Sequence, residues 1–113
     1  MALAVSVGDT ESVSVLVVEG ELDMTTAPSL LDAASSVAVA GGGGLVLDLG
    51  RLAFCDSAGL GVIVKILRAV SGAGGTLAIA QPTPIVRSVL DLTGISEAVL
   101  VYPTVAAACA AVG

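Results

Sequence analysis

From residue 12 to 18 the chain reads S-V-S-V-L-V-V, alternation passing into an apolar run, and this pattern predicts a strand. Leu3 to Val7 repeats it more weakly, and the intervening G-D-T-E predicts a hairpin that opens the fold. After Gly20-Glu21-Leu22-Asp23, the residues Thr25, Thr26 and Pro28 start a helix, carried on by Leu30, Leu31, Ala34, Val37 and Ala38 at helical spacing. Gly41 to Gly44 end that helix. They read as a flexible connection rather than a phosphate loop, because no Gly-Lys-Ser/Thr ending follows. Leu45 to Leu49, L-V-L-D-L between glycines, predicts a short central strand.

A second helix is predicted from Ser57 to about Ser71, where Leu60, Ile63, Val64, Leu67 and Val70 recur at three and four. Val62-Ile63-Val64 suits a strand as well, since β-branching lowers helix propensity, and the length and polar start decide for the helix. Gly72 to Gly75 close it, and Thr76 to Ala80 predicts another buried strand. Thr83-Pro84 starts and Gly94 ends a short helix; a last strand at Ala98 to Val101 precedes Pro103-Thr104 and an Ala-rich terminal helix. Two opening strands followed by alternating helices and strands predict an α/β fold, a mixed sheet with helices packed on it, in one domain spanning 1–113.

Composition narrows the function. With 56% apolar but only 2% aromatic residues, the core of this 113-residue chain is built from Val, Leu, Ile and Ala. Every apolar run is broken before the roughly 18 residues of a membrane span, and the first residues lack a basic n-region, so a soluble cytoplasmic protein is expected. The formal charge is −6 with Arg51, Lys65, Arg68 and Arg87 the only cations, which argues against nucleic acid. Acidity of this kind suits a basic protein partner, or serves solubility alone. Cys55 and Cys109 show no C-x-x-C spacing, and the chain has no histidine; no metal site or cofactor is expected. Both cysteines read as small buried hydrophobes in a reducing compartment.

The stretch Phe54 to Val62, F-C-D-S-A-G-L-G-V, places Ser57 where a strand meets a helix. A Ser or Asp there caps the helix by accepting from a free backbone N–H. Nucleophilic attack fits poorly: Cys55 stands where a G-x-S-x-G elbow needs glycine, no histidine takes the proton, and Lys65 lies eight residues along the helix, about 12 Å away by helical rise. Modification is the third reading, since the open N–H groups and dipole of a helix start favour a phosphate. Gly59 and Gly61 leave the backbone around Ser57 uncovered for a kinase or partner.

Together with Gly20-Glu21-Leu22-Asp23, Leu47-Asp48-Leu49 and Leu90-Asp91-Leu92-Thr93-Gly94-Ile95, this stretch resembles the STAS-domain anti-sigma factor antagonists, small bacterial proteins that reverse anti-sigma factors. The resemblance implies a four- to five-stranded sheet with helices mainly on one face and no catalysis of its own. It also implies a phosphoacceptor serine directly after the motif aspartate, hence Ser57. Many members carry a second Ser or Thr next, where this chain has Ala58. The implied partners are an anti-sigma factor with serine kinase activity, bound by the unphosphorylated form so that sigma is freed, and a phosphatase acting on phospho-Ser57. A STAS scaffold or transporter-associated module is the alternative.

Residue roles follow from the same resemblance. Asp56 orients the loop or caps the helix, and Asp23 lies at the same surface or forms a turn. Ala58, Gly59, Leu60 and Gly61 form the contact surface, although Leu60 suits the core equally. Thr93 and Gly94 match a family segment, with a helix C-cap as the other explanation of Gly94.

Overall fold

A computed structural model describes residues 3–10, 13–41 and 43–112. Strand β1 (Leu3–Thr10) pairs antiparallel with β2 (Val13–Leu22) in unbroken register from Leu3↔Gly20 to Thr10↔Val13. The predicted turn residues Gly8, Asp9 and Thr10 thus belong to β1, and Glu11 and Ser12 lie outside the described residues. Helix α1 (Ala27–Gly41) crosses to β3 (Gly44–Cys55), which is parallel to β2. Then follow α2 (Ser57–Gly72), β4 (Leu77–Ala80), α3 (Pro84–Thr93), α4 (Ile95–Ala98), β5 (Leu100–Tyr102) and α5 (Val105–Val112). The sheet order is β1-β2-β3-β4-β5, antiparallel at the first pair and parallel elsewhere.

Side-chain alternation along the strands sorts the core into two layers. On one face Leu16, Leu22, Leu47, Leu49 and Ile79 meet Leu30 of α1, Ile63 and Ile66 of α2, and Leu90 of α3, all essentially inaccessible to water. On the other, Val15, Val46, Ala78 and Ala80 meet Ala108 of α5. Strand β4, Leu-Ala-Ile-Ala, is buried throughout, with its large residues toward the three long helices and its alanines toward α5. Small residues on both sides let the Ala-rich α5 lie close. Helices therefore cover mainly one face, as expected, and α5 covers part of the second.

Further boundaries differ from the sequence pattern, and β2 runs past the predicted end at Val18 to Leu22. Strand β3 does not stop at Leu49 but runs through Gly50 to Cys55, pairing with β2 across register shifts at Val17/Glu19 and Gly20/Glu21. Gly50 is no strand end: a Cβ there would stand 2.8 Å from Gln81 Nε2, so its bareness makes room for a side chain crossing the sheet edge. Gln81 donates that Nε2 to Asp48 Oδ1 at 3.0 Å, and Gly50 N donates to the same oxygen at 3.0 Å. Gln81 itself is held at φ 43, a left-handed conformation unfavourable for a side-chain-bearing residue. At the other end of the fold, Ile95 folds inward and draws Ile95–Ala98 into a single helical turn, so the last strand begins at Leu100, two residues late. Helix α1 likewise begins at Ala27 because Asp23 to Thr26 form a turn of their own. Among the described residues no helix is long and apolar enough to cross a membrane.

The Asp48 carboxylate is nearly buried and ties the left-handed Gln81 to β3. Asp48→Ala is expected to cost about 1 to 3 kcal/mol, because two donors lose their shared acceptor. A lower urea midpoint at unchanged slope is the readout.

Candidate functional site

Parallel pairing carries β2 and β3 to the same edge of the sheet, where Leu22 stands opposite Cys55. Asp56 N donates to Leu22 O at 3.1 Å, closing the ladder. The next residue on each strand is an aspartate, so the pairing itself makes Asp23 and Asp56 neighbours.

Asp23 is knotted into the turn that leads to α1. Its Oδ1 accepts from Thr25 N at 2.9 Å, Thr25 Oγ1 at 2.7 Å and Thr26 N at 3.1 Å, while Asp23 N donates to Thr26 Oγ1 at 2.9 Å. This reciprocal arrangement is a capping box in miniature. The Thr25 hydroxyl bond, seconded by the Thr25 and Thr26 N–H groups, outweighs desolvation and holds the Asp23 carboxyl below its ordinary pKa. A depressed folded-state pKa contributes stability above the ordinary carboxylate range, and that contribution is lost as pH falls through the folded value. Asp23 is thus a turn former whose Oδ2 has no partner among the described residues.

Helix capping belongs to Asp56, not to Ser57. Asp56 is the extended N-cap (φ −99, ψ −172), and its Oδ1 accepts from Gly59 N at 3.0 Å. Ser57 is the first helical residue, exposed, and its hydroxyl makes no hydrogen bond among the described residues. The N–H groups of Ser57 and Ala58 have no acceptor there either, as the first turn of a helix requires. The site therefore offers a free hydroxyl beside two open donors at the positive end of a 16-residue helix.

The two glycines of the motif face opposite ways. Gly59 is buried: a Cβ would meet Leu22 Cγ at 2.7 Å and Cys55 Sγ at 2.9 Å, so this glycine lets α2 descend onto the strand ends. The uncovered backbone expected at Gly59 is not found, and Leu60, 8% exposed, belongs to the core. Gly61 is exposed, with nothing among the described residues within 4 Å of an added Cβ. Ala58 is half-buried beside it.

Thr93 and Gly94 are not brought to Ser57. Helix α3 starts near the Ser57 edge, where Thr83 Oγ1 donates to Leu52 O at 3.1 Å, and runs back toward the edge at which β5 begins. Thr93 Oγ1 donates to Val89 O at 2.7 Å, and Gly94, at φ 81, is the left-handed C-cap. Two residues given no role in the sequence reading lie exposed at the Ser57 edge, Met24 at 75% and Phe54 at 44%. Their signal was present in the chain, a large apolar residue inside a polar turn and one two residues before the motif aspartate.

Paired substitutions check these placements. Gly59→Ala is expected to destabilise by about 1 to 3 kcal/mol through overpacking, and Gly61→Ala to stabilise by about 0.5 to 1 kcal/mol through helix propensity, both read from urea unfolding. Burial, with a lesser push from Asp56, raises the Cys55 thiol to about 11. Iodoacetamide at pH 8 is therefore expected to label Cys55 in the native protein far more slowly than in urea, followed by peptide mass mapping.

A STAS domain family model matches residues 4–108. A Thermotoga maritima protein described as an anti-sigma factor antagonist is 39% identical over 64 residues, 57% of each chain. That stretch thus spans little more than half the length of this curated relative. Solved structures superpose over nearly the whole chain. An anti-sigma factor antagonist from Mycobacterium paratuberculosis gives a TM-score of 0.88 at 32% identity, covering 98% of this chain and 94% of that one. A Thermotoga maritima structure described in the same way gives 0.87 at 28%, covering 96% and 93%. With the family model matching residues 4–108 and solved antagonist structures superposing over nearly the whole chain, the chain belongs to the STAS domain family.

Proposed function

We propose that this chain is an anti-sigma factor antagonist whose Ser57 edge binds an anti-sigma factor, and that phosphorylation of Ser57 by that factor, acting as a serine kinase, ends the binding. The free Ser57 hydroxyl at the first position of a helix already capped by Asp56 carries the reading. The hydroxyl is available to a kinase because no intramolecular bond must break to present it. Ser57 Oγ would attack the γ-phosphorus of ATP, ADP would leave, and the hydroxyl proton would pass to a base of the kinase, since this chain has no histidine to take it. The names borne by the Thermotoga and Mycobacterium relatives support the partner class.

Charge supplies the switch. Phosphate adds about 1.5 to 2 negative charges next to Asp56 and across the strand ends from Asp23. The open N–H groups of Ser57 and Ala58 steady that charge, so the helix persists and the interface rather than the fold takes the penalty. Like charge in an interface costs several kcal/mol, and each 1.4 kcal/mol or so is tenfold in affinity. Asp23, Asp56, Ala58 and Gly61 form the contact edge, with Gly59 and Leu60 supporting it from beneath. Thr93 and Gly94 shape α3 at a distance. A phosphatase acting on phospho-Ser57 restores binding.

Anti-sigma factor kinases from the chain's own genome, purified and mixed one at a time with the protein and ATP, test this. One of them is expected to place a single phosphate on Ser57, mapped by mass spectrometry, and to bind Ser57→Ala persistently. Ser57→Asp is expected to bind it about tenfold or more weakly; wild-type affinity in that variant would rule the electrostatic switch out.

A further inference from the structure

Helices α1 and α2 lie side by side, and below the Ser57 edge an open groove runs between them. Met24, Pro28 and Leu31 form one wall; Ala58, Gly61, Val62 and Lys65 form the other, at the i, i+3, i+4, i+7 spacing of a single α2 face. Met24 is 75% exposed over this groove, an unusual position for a large apolar side chain.

Two independent features say what kind of surface covers it. Gly61 stands in the second turn of α2, where alanine would stabilise the helix, yet nothing among the described residues approaches within 4 Å of its missing Cβ. Internal packing explains Gly59 and leaves Gly61 unexplained; a bare backbone at the groove wall suits close approach by another chain. The second feature is charge. Of the four cations, Arg51 lies 3.8 Å from Glu19 and Arg87 lies 3.1 Å from Asp91, whereas Lys65 and Arg68 have no ion pair among the described residues. Both unpaired cations are exposed and adjacent on α2, one turn apart, in a chain of net charge −6. Ten carboxylates are available, and none among the described residues meets them.

We infer that the α1–α2 groove receives an amphipathic, acidic helix of the anti-sigma factor, its apolar face on Met24, Leu31 and Val62 over Gly61 and its carboxylates on Lys65 and Arg68. This rests on the antagonist reading above and extends the contact from the Ser57 edge about two turns down α2. A helix laid in a groove between two helices buries its apolar face while its charges select register. The partner segment is thus opposite in sign to what the acidity of the whole chain suggests. The Ser57 edge and the groove also divide the interaction: phosphate acts at the acidic end, and the cations hold the partner at the other.

The test uses the kinase that binds in the preceding experiment. Lys65→Glu/Arg68→Glu is expected to weaken binding at least tenfold and to flatten its salt dependence between low and high sodium chloride. Gly61→Gln, which fills the groove wall on a helix it does not destabilise, is expected to weaken it as well. Zero-length carbodiimide coupling of the wild-type complex is expected to join Lys65 to an Asp or Glu within an apolar-periodic helical segment of the kinase. Binding that survives both variants, or Lys65 left uncoupled in the saturated complex, overturns the acidic helix while the antagonist reading stands. Failure of the wild-type chain to bind any kinase overturns both.

Discussion

The last rung of the β2–β3 ladder, Asp56 N to Leu22 O, is the contact on which the Ser57 edge depends. Parallel strands place their carboxyl ends together, and here those ends release the chain into two structures at once, the Asp23 turn before α1 and the Asp56-capped start of α2. Gly59 completes the joint by letting α2 settle on Leu22 and Cys55 without a clash. One hydrogen bond, one glycine and two aspartates thus set where Ser57 points. The remaining sheet, with β4 and β5 short and α5 behind them, extends away from this corner.

Much of this was legible in the sequence, for physical reasons. Strand and helix periodicity located β2, α1, α2 and α3, because each buries one clear face. The motif aspartate and serine stood out as polar residues at a strand-to-helix junction. What periodicity misread depended on contacts between residues distant in the chain. Gly50 looked like a strand end until Gln81, thirty-one residues later, explained its bareness. Gly59 and Gly61 looked alike in one dimension, and only the presence of Leu22 beneath one of them separates a packing requirement from an open surface. The one-turn α4 left no signal because four residues are too few to show a period. Thr93 and Gly94, grouped with the site by motif, are carried away from it by the direction in which α3 runs.

Charge shows the same difference between composition and arrangement. The total is acidic, and the edge around Asp23 and Asp56 concentrates part of it. The two cations without partners among the described residues lie together on the adjoining helix face. A net value describes solubility and long-range field, whereas a docking surface is defined by the few charges left uncompensated within a Debye length of it.

Because Asp56 rather than Ser57 secures the start of α2, the helix does not draw its stability from the serine hydroxyl. Chemical change at that hydroxyl therefore breaks no bond that caps the helix. Under the proposed switch, modified and unmodified chains would share one fold and would be exchanged by enzymes rather than renewed by synthesis and degradation. The balance of two such forms would follow the ratio of the two opposing activities, and it would reset as fast as those enzymes turn over.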